Sequence, residues 1–205
     1  MRVARSTVAS AALALTLAMV AAVQPPTAPA LMQALNDELL ASRSATQTLE
    51  QWCGDHHLAA APRIVARVVT NADKPATAEQ RQRLHVTGTD VVKFRHVRLQ
   101  CGSRVLSEAD NWYVPGRLSA DMNHLLETTD TPFGTVVRPL EPYRETIVVT
   151  MFWTAGPAPP EALFAHRAVL FTRDHVPFSK STRSTSGRSC HESRRDPMAE
   201  TRHVR

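Results

Sequence analysis

Arg95 is the residue with the clearest chemical potential, in the run Val-Val-Lys-Phe-Arg-His-Val-Arg-Leu-Gln-Cys from Val91 to Cys101. Successive side chains of a strand point to opposite faces, so Val91, Lys93, Arg95, Val97, Leu99 and Cys101 share one face. Phe94, His96, Arg98 and Gln100 share the other. Arg95 therefore sits beside Val97 and Leu99 on the side that reads as buried, where a guanidinium is costly unless a carboxylate meets it. That carboxylate comes either from the protein or from a ligand. Gly102-Ser103-Arg104 and a second β-prone run to Pro115 follow, which is a hairpin signal. A two-residue loop, Gly102-Ser103, sets Arg95 against Asp110, an ordinary cross-strand ion pair. A three-residue loop sets Arg95 against Asn111 and leaves its charge open for a ligand.

Other reactive side chains form weaker patterns. Cys53, Cys101 and Cys190 lack zinc-type spacing. Cys53 and Cys101 read either as two small buried hydrophobes or, in an oxidising compartment, as a disulfide. His56 and His57 are adjacent in a loop, a poor arrangement for joint ligation, so no metal site is expected.

The elements that must position Arg95 follow from periodicity. Leu31, Leu35, Leu39 and Leu40 form a helical stripe. A second helix starts at Ser44, with Gln47 three residues on as a capping box, and buries Ala45, Leu49, Trp52 and Cys53. Arg63 to Thr70 reads as a strand, and Lys74 to Arg83 as a polar connection or short helix. Ser119 caps a helix through Leu126; Thr131 caps a short one with Pro132 at its first position. Glu145 to Trp153 is a continuous β-prone run, expected near the sheet's centre. Leu163 to Thr172 is a strand, and Val176-Pro177-Phe178 begins a closing one. The class is α+β, with helices packed on a mostly antiparallel sheet.

Both ends differ from this middle. Arg2 and Arg5 precede an Ala-rich apolar run from Val8 to Val23. Residues 1–22 thus read as a secretory signal with cleavage between 22 and 30, and the mature protein as periplasmic or secreted. The run is short for a spanning helix, so no stable membrane insertion is expected after cleavage; an uncleaved anchor is the alternative. The formal net charge is +5, but Lys180 to Arg205 holds seven Lys/Arg and three Asp/Glu, a net of +4. The remainder is near neutral, so no nucleic-acid partner is expected. Residues 31–179 form the expected domain. Residues 180–205, with almost nothing to bury, are expected to be a disordered basic tail. A shifted reading frame is the other account: Lys-Ser-Thr-Arg-Ser-Thr can be encoded by nucleotides whose alternative frame reads Val-Asp-Glu-Val-Asp, an acidic, β-prone strand.

With these residues placed, the chain resembles the chorismate lyase family and the related UTRA ligand-binding domains. The resemblance covers roughly Leu35 to Phe178. It rests on Leu39-Leu40 with Ser44-Ala45-Thr46 and Glu50, on Phe94-Arg95-His96-Val97 leading to Leu99 and Cys101, on Tyr113-Val114-Pro115, and on Thr131-Pro132-Phe133-Gly134. It implies a six-stranded antiparallel sheet around a small-ligand cavity, without metal or cofactor. It also implies that Arg95 binds a ring carboxylate, that the backbone of Phe133 touches the ligand, and that Ala45 lines the pocket. A bidentate guanidinium suits that task. Two departures count against catalysis. Asn111 stands where the family has a second arginine, and the essential glutamate is missing from the Lys180–Arg183 region. The expected function is an exported protein that binds a small aromatic or enolic carboxylate and is catalytically impaired. The rivals are an active lyase releasing pyruvate and 4-hydroxybenzoate, and an envelope structural or interaction protein with a vestigial pocket.

Overall fold

The structure is a computed structural model that describes residues 26–70, 73–156 and 159–190. The expected leader, residues 1–22, lies outside the described residues. Six strands, β1 (Ile64–Val68), β2 (Lys93–Cys101), β3 (Arg104–Tyr113), β4 (Tyr143–Met151), β5 (Ala162–Phe171) and β6 (Pro177–Ser186), form one antiparallel sheet in the order β1-β2-β3-β6-β5-β4. The α+β class with a six-stranded antiparallel sheet is therefore as expected.

Five α-helices accompany the sheet among the described residues: α1 (Ala28–Ala41), α2 (Ala45–Asp55), α3 (Ala78–Arg83), α4 (Ala120–Thr128) and α5 (Phe133–Val136). In α1, Met32, Leu35 and Leu39 fall on one stripe at helical spacing and are buried. Ser44 caps α2 by accepting from the Gln47 N–H at 3.4 Å, which satisfies one of the orphan donors of the first turn. Leu49, Trp52 and Cys53 of α2 join Val97, Leu99, Ala109 and Phe164 of the sheet in one apolar cluster. A disulfide joins Cys53 to Cys101 and ties α2 to β2, with Cα atoms 6.3 Å apart. Leu118, Met122, Leu126, Phe133 and Val137 pack with Tyr113 and Phe178 in a second cluster.

Several expectations need correction. The β-prone run of β4 is not central but an edge strand, paired with β5 alone. Thr131 does not cap α5, whose N-cap is Pro132 with no side-chain cap hydrogen bond. The reciprocal capping box belongs to α3, between Thr77 and Gln80.

The larger correction concerns residues 180–205. Residues 180–186 are not disordered: they continue β6 between β3 and β5, and a 3-10 turn (Gly187–Cys190) follows. Composition misleads here because a central strand is held by its main-chain ladders on both sides, whatever its side chains. Ser189 adds two anchors: its hydroxyl donates to the Leu106 carbonyl at 2.9 Å, and its own carbonyl accepts from Trp52 Nε1 at 2.9 Å. The strand forms with the residues as they stand. Residues 191–205 lie outside the described set.

The hairpin combines both registers considered above. Cys101 faces Arg104 across a two-residue Gly102-Ser103 loop, and Gly102 takes φ +57°, the left-handed turn conformation. Yet Arg95 faces Asn111, because the register shifts between Leu99 and Gln100. Leu106 is the extra residue of this β-bulge. The bulge moves Arg95 away from Asp110, which instead faces His96 with Nδ1···Oδ1 at 2.5 Å and accepts from Lys74 at 2.7 Å.

Candidate anion-binding site

Between the two apolar clusters the sheet carries a polar belt. Arg95, Asn111 and Ser181 lie side by side on β2, β3 and β6; two residues along, on the same face, Ala109, Arg183 and His166 lie across β3, β6 and β5. The first turns of α2 and α5 come down on this belt. They approach closely because residue 134 is glycine: a Cβ there would lie 2.8 Å from Thr46 Oγ1. Under them is a cavity of about 40 Å³ whose lining includes Ala45, Asn111 and Phe133 together with Arg43, Arg144 and Arg183. None of the described lining residues is acidic.

Arg95 is only 5% exposed. Its Nε and Nη1 are buried without a hydrogen-bond partner, and Nη2 reaches the Thr129 and Thr131 carbonyls only at 3.4 Å each. Burial pushes its pKa down, partly opposed by Tyr113 and Asp130. Asp130 itself pairs with Arg67 rather than with Arg95. The guanidinium is thus held by the fold but not neutralised by a contacting carboxylate.

Arg183 has a similar problem: its Nη1 is sealed from solvent with no partner. Burial, with Arg144 nearby, pushes its pKa down to about 9, so it stays charged at neutral pH. Arg144 donates to the Leu39 carbonyl at 2.9 Å and lies 3.1 Å from His166 Nδ1. His166 Nε2 is 2.9 Å from Asn36 Oδ1. Only one tautomer satisfies both contacts: Nε2–H donates to Asn36 and Nδ1 accepts from Arg144. Burial and the two arginines push the His166 pKa down to about 4, keeping the ring neutral.

Of the expected site residues, Ala45, Asn111 and Phe133 come together in the cavity lining. Arg95 adjoins Asn111, but its guanidinium turns toward the loop after α4. Lys180 belongs to the opposite face, with Nζ 5.7 Å from the Trp112 ring centre. Sequence reasoning missed Arg43, Arg144 and Arg183. Arg144, just ahead of an apolar strand run, offered the same signal as Arg95. Arg183 was hidden by the polar composition around it.

No family model matches the chain. The y4mC protein of Sinorhizobium fredii is 45% identical over 168 residues, spanning 73% of this chain and 71% of y4mC. The chain belongs to the y4mC family. Because y4mC is described as uncharacterized, membership of the y4mC family brings no activity with it. Among solved structures, gene product SA0254 from Staphylococcus aureus has a TM-score of 0.46 at 11% identity, over 72% of this chain and 90% of that one. The effector domain of PhnF from Mycobacterium smegmatis has a TM-score of 0.45 at 14% identity, over 60% and 81%. A GntR-family transcriptional regulator from Enterococcus faecalis has a TM-score of 0.43 at 10% identity, over 60% and 93%. These backbones are only loosely similar, so the functional reading rests on the site.

Proposed function

We propose that the protein binds a small organic carboxylate, with its anionic group on Arg95 and an aromatic or enolic body toward Phe133 and Ala45. The carrying observation is the buried Arg95 guanidinium, whose Nε and Nη1 have no partner. A carboxylate supplies two acceptors for one edge of the guanidinium, Nε–H with Nη2–H or Nη1–H with Nη2–H, in exchange for the long Nη2 contacts. Ala45 and Phe133 line the cavity of about 40 Å³ and Arg95 does not, so a ring whose carboxylate sits on Arg95 requires α2 and α5 to part. Export through the N-terminal leader is part of the proposal, and the Cys53–Cys101 disulfide supports an oxidising compartment.

Calorimetric titration with 4-hydroxybenzoate tests the reading. Saturable binding that disappears in Arg95→Met and survives in Arg183→Met is the expected result. Equal binding by wild type and Arg95→Met would overturn it, as would no binding at all.

One observation favours a second reading, an active lyase. Buried partnerless atoms gather on β6, namely Ser179 Oγ, Arg183 Nη1 and Thr185 Oγ1. A shifted frame produces such a misfit strand. The alternative frame would replace Arg183 within a Val-Asp-Glu-Val-Asp run, removing the orphan guanidinium. Resequencing the gene, together with the intact mass of the protein and a chorismate turnover assay, separates the two readings.

A further inference from the structure

We propose that Arg43, Arg144 and Arg183 form a second anion site, which takes a compact oxyanion of the phosphate or sulfate class, either free or as the headgroup of a small molecule. The proposal does not depend on the Arg95 reading. All three guanidinium-bearing residues line one cavity of about 40 Å³. A single water needs roughly 10–15 Å³ of such space, so a tetrahedral oxyanion fits within it and any organic body it carries lies outside.

Charge points the same way. Three cations line the cavity, no described acidic residue does, and no described carboxylate forms an ion pair with Arg144 or Arg183. Nη1 of Arg183 is sealed from solvent and unpartnered, a donor in want of an acceptor. Arg144 is fixed without being neutralised, because the Leu39 carbonyl and the His166 ring are both uncharged acceptors. His166 is held in turn by Asn36, so Arg144 is anchored by a chain running from α1. The first turn of α2 adds to the wall with Ala45 and Thr46, and its helix end favours negative charge. A doubly charged oxyanion meets more of these groups than a carboxylate does.

Calorimetric titration of the purified protein with phosphate and with sulfate, at pH 7.5 and matched chloride ionic strength, tests the proposal. Wild type binds both. Arg183→Met weakens binding roughly tenfold or more, the scale of a lost charge-assisted pair. Arg43→Ser, at an exposed position, weakens it about threefold. Arg95→Met leaves it unchanged. Phenyl phosphate binding about tenfold tighter than phosphate identifies a headgroup, and equal binding a free anion; both outcomes support the site. Heat no greater than that from matched chloride overturns the proposal. So does unchanged affinity in both Arg183→Met and Arg43→Ser, or an equal loss in Arg95→Met.

Discussion

Arg95 on β2 and Arg183 on β6 flank β3 on one face of the sheet, with two buried nitrogens of Arg95 and one of Arg183 left unpaired by the protein. An unpaired buried charge costs stability, and apolar replacement of buried charged groups is often stabilising. Arg95→Met should therefore leave the ligand-free protein at least as stable as wild type, with a gain of about 1 kcal/mol in equilibrium urea unfolding. A clear loss would mean that the two long contacts to Thr129 and Thr131 matter more than the missing anion. His166 gives a pH prediction. Its folded pKa of about 4 lies below the ordinary 6.5, so the unfolded chain binds more protons between those values. Stability is then full above about pH 6.5 and falls as pH drops toward 4, by up to about 3 kcal/mol. Urea midpoints at pH 7, 5.5 and 4 should show this fall in wild type and a smaller one in His166→Gln. Arg95 could be found from sequence because its alternation with Val97 and Leu99 is local. The roles of Arg183 and His166 depend on partners from other elements.

The elements around the site are held by close approach more than by length. α5 has only four residues, and its placement on α2 relies on the missing side chain at Gly134. Gly134→Ala brings a Cβ to 2.8 Å from the buried Thr46 hydroxyl. The alanine improves helix propensity by up to about 1 kcal/mol, whereas overpacking costs about 1–3 kcal/mol, so net destabilisation is expected. Thr46→Ala in the same chain should recover most of the loss, as measured by urea unfolding; no recovery would place the strain elsewhere. The bulge at Leu106 is the other decisive local device, since without it Arg95 would face Asp110 and be satisfied internally. Loop length alone could not reveal this. A bulge depends on both strands being held by the neighbouring sheet and on Leu106 reaching the core, where it is fully buried.

For the molecule as a whole, the disulfide closes a span of 48 residues from α2 to β2. A loop of that size implies about 2–4 kcal/mol of stabilisation, chiefly by restricting the unfolded chain. Reductant should lower the urea midpoint accordingly, while Cys53→Ser/Cys101→Ser should no longer respond to it. Mass spectrometry of the protein made with its leader in an exporting host should find a new N-terminus between residues 22 and 30. An intact leader would return the proposal to an uncleaved anchor. By itself, the sequence determined most of the helices and strands, the α+β class and the buried-face position of Arg95. All of these follow from local periodicity, caps and turns, which neighbouring residues encode. Tertiary structure alone decided that the polar run after Phe178 is a central strand and that the apolar β4 is an edge. It also decided that three distant arginines share one cavity. Strand order and unpaired charge are properties of what lies across the sheet, and no local window of residues contains them.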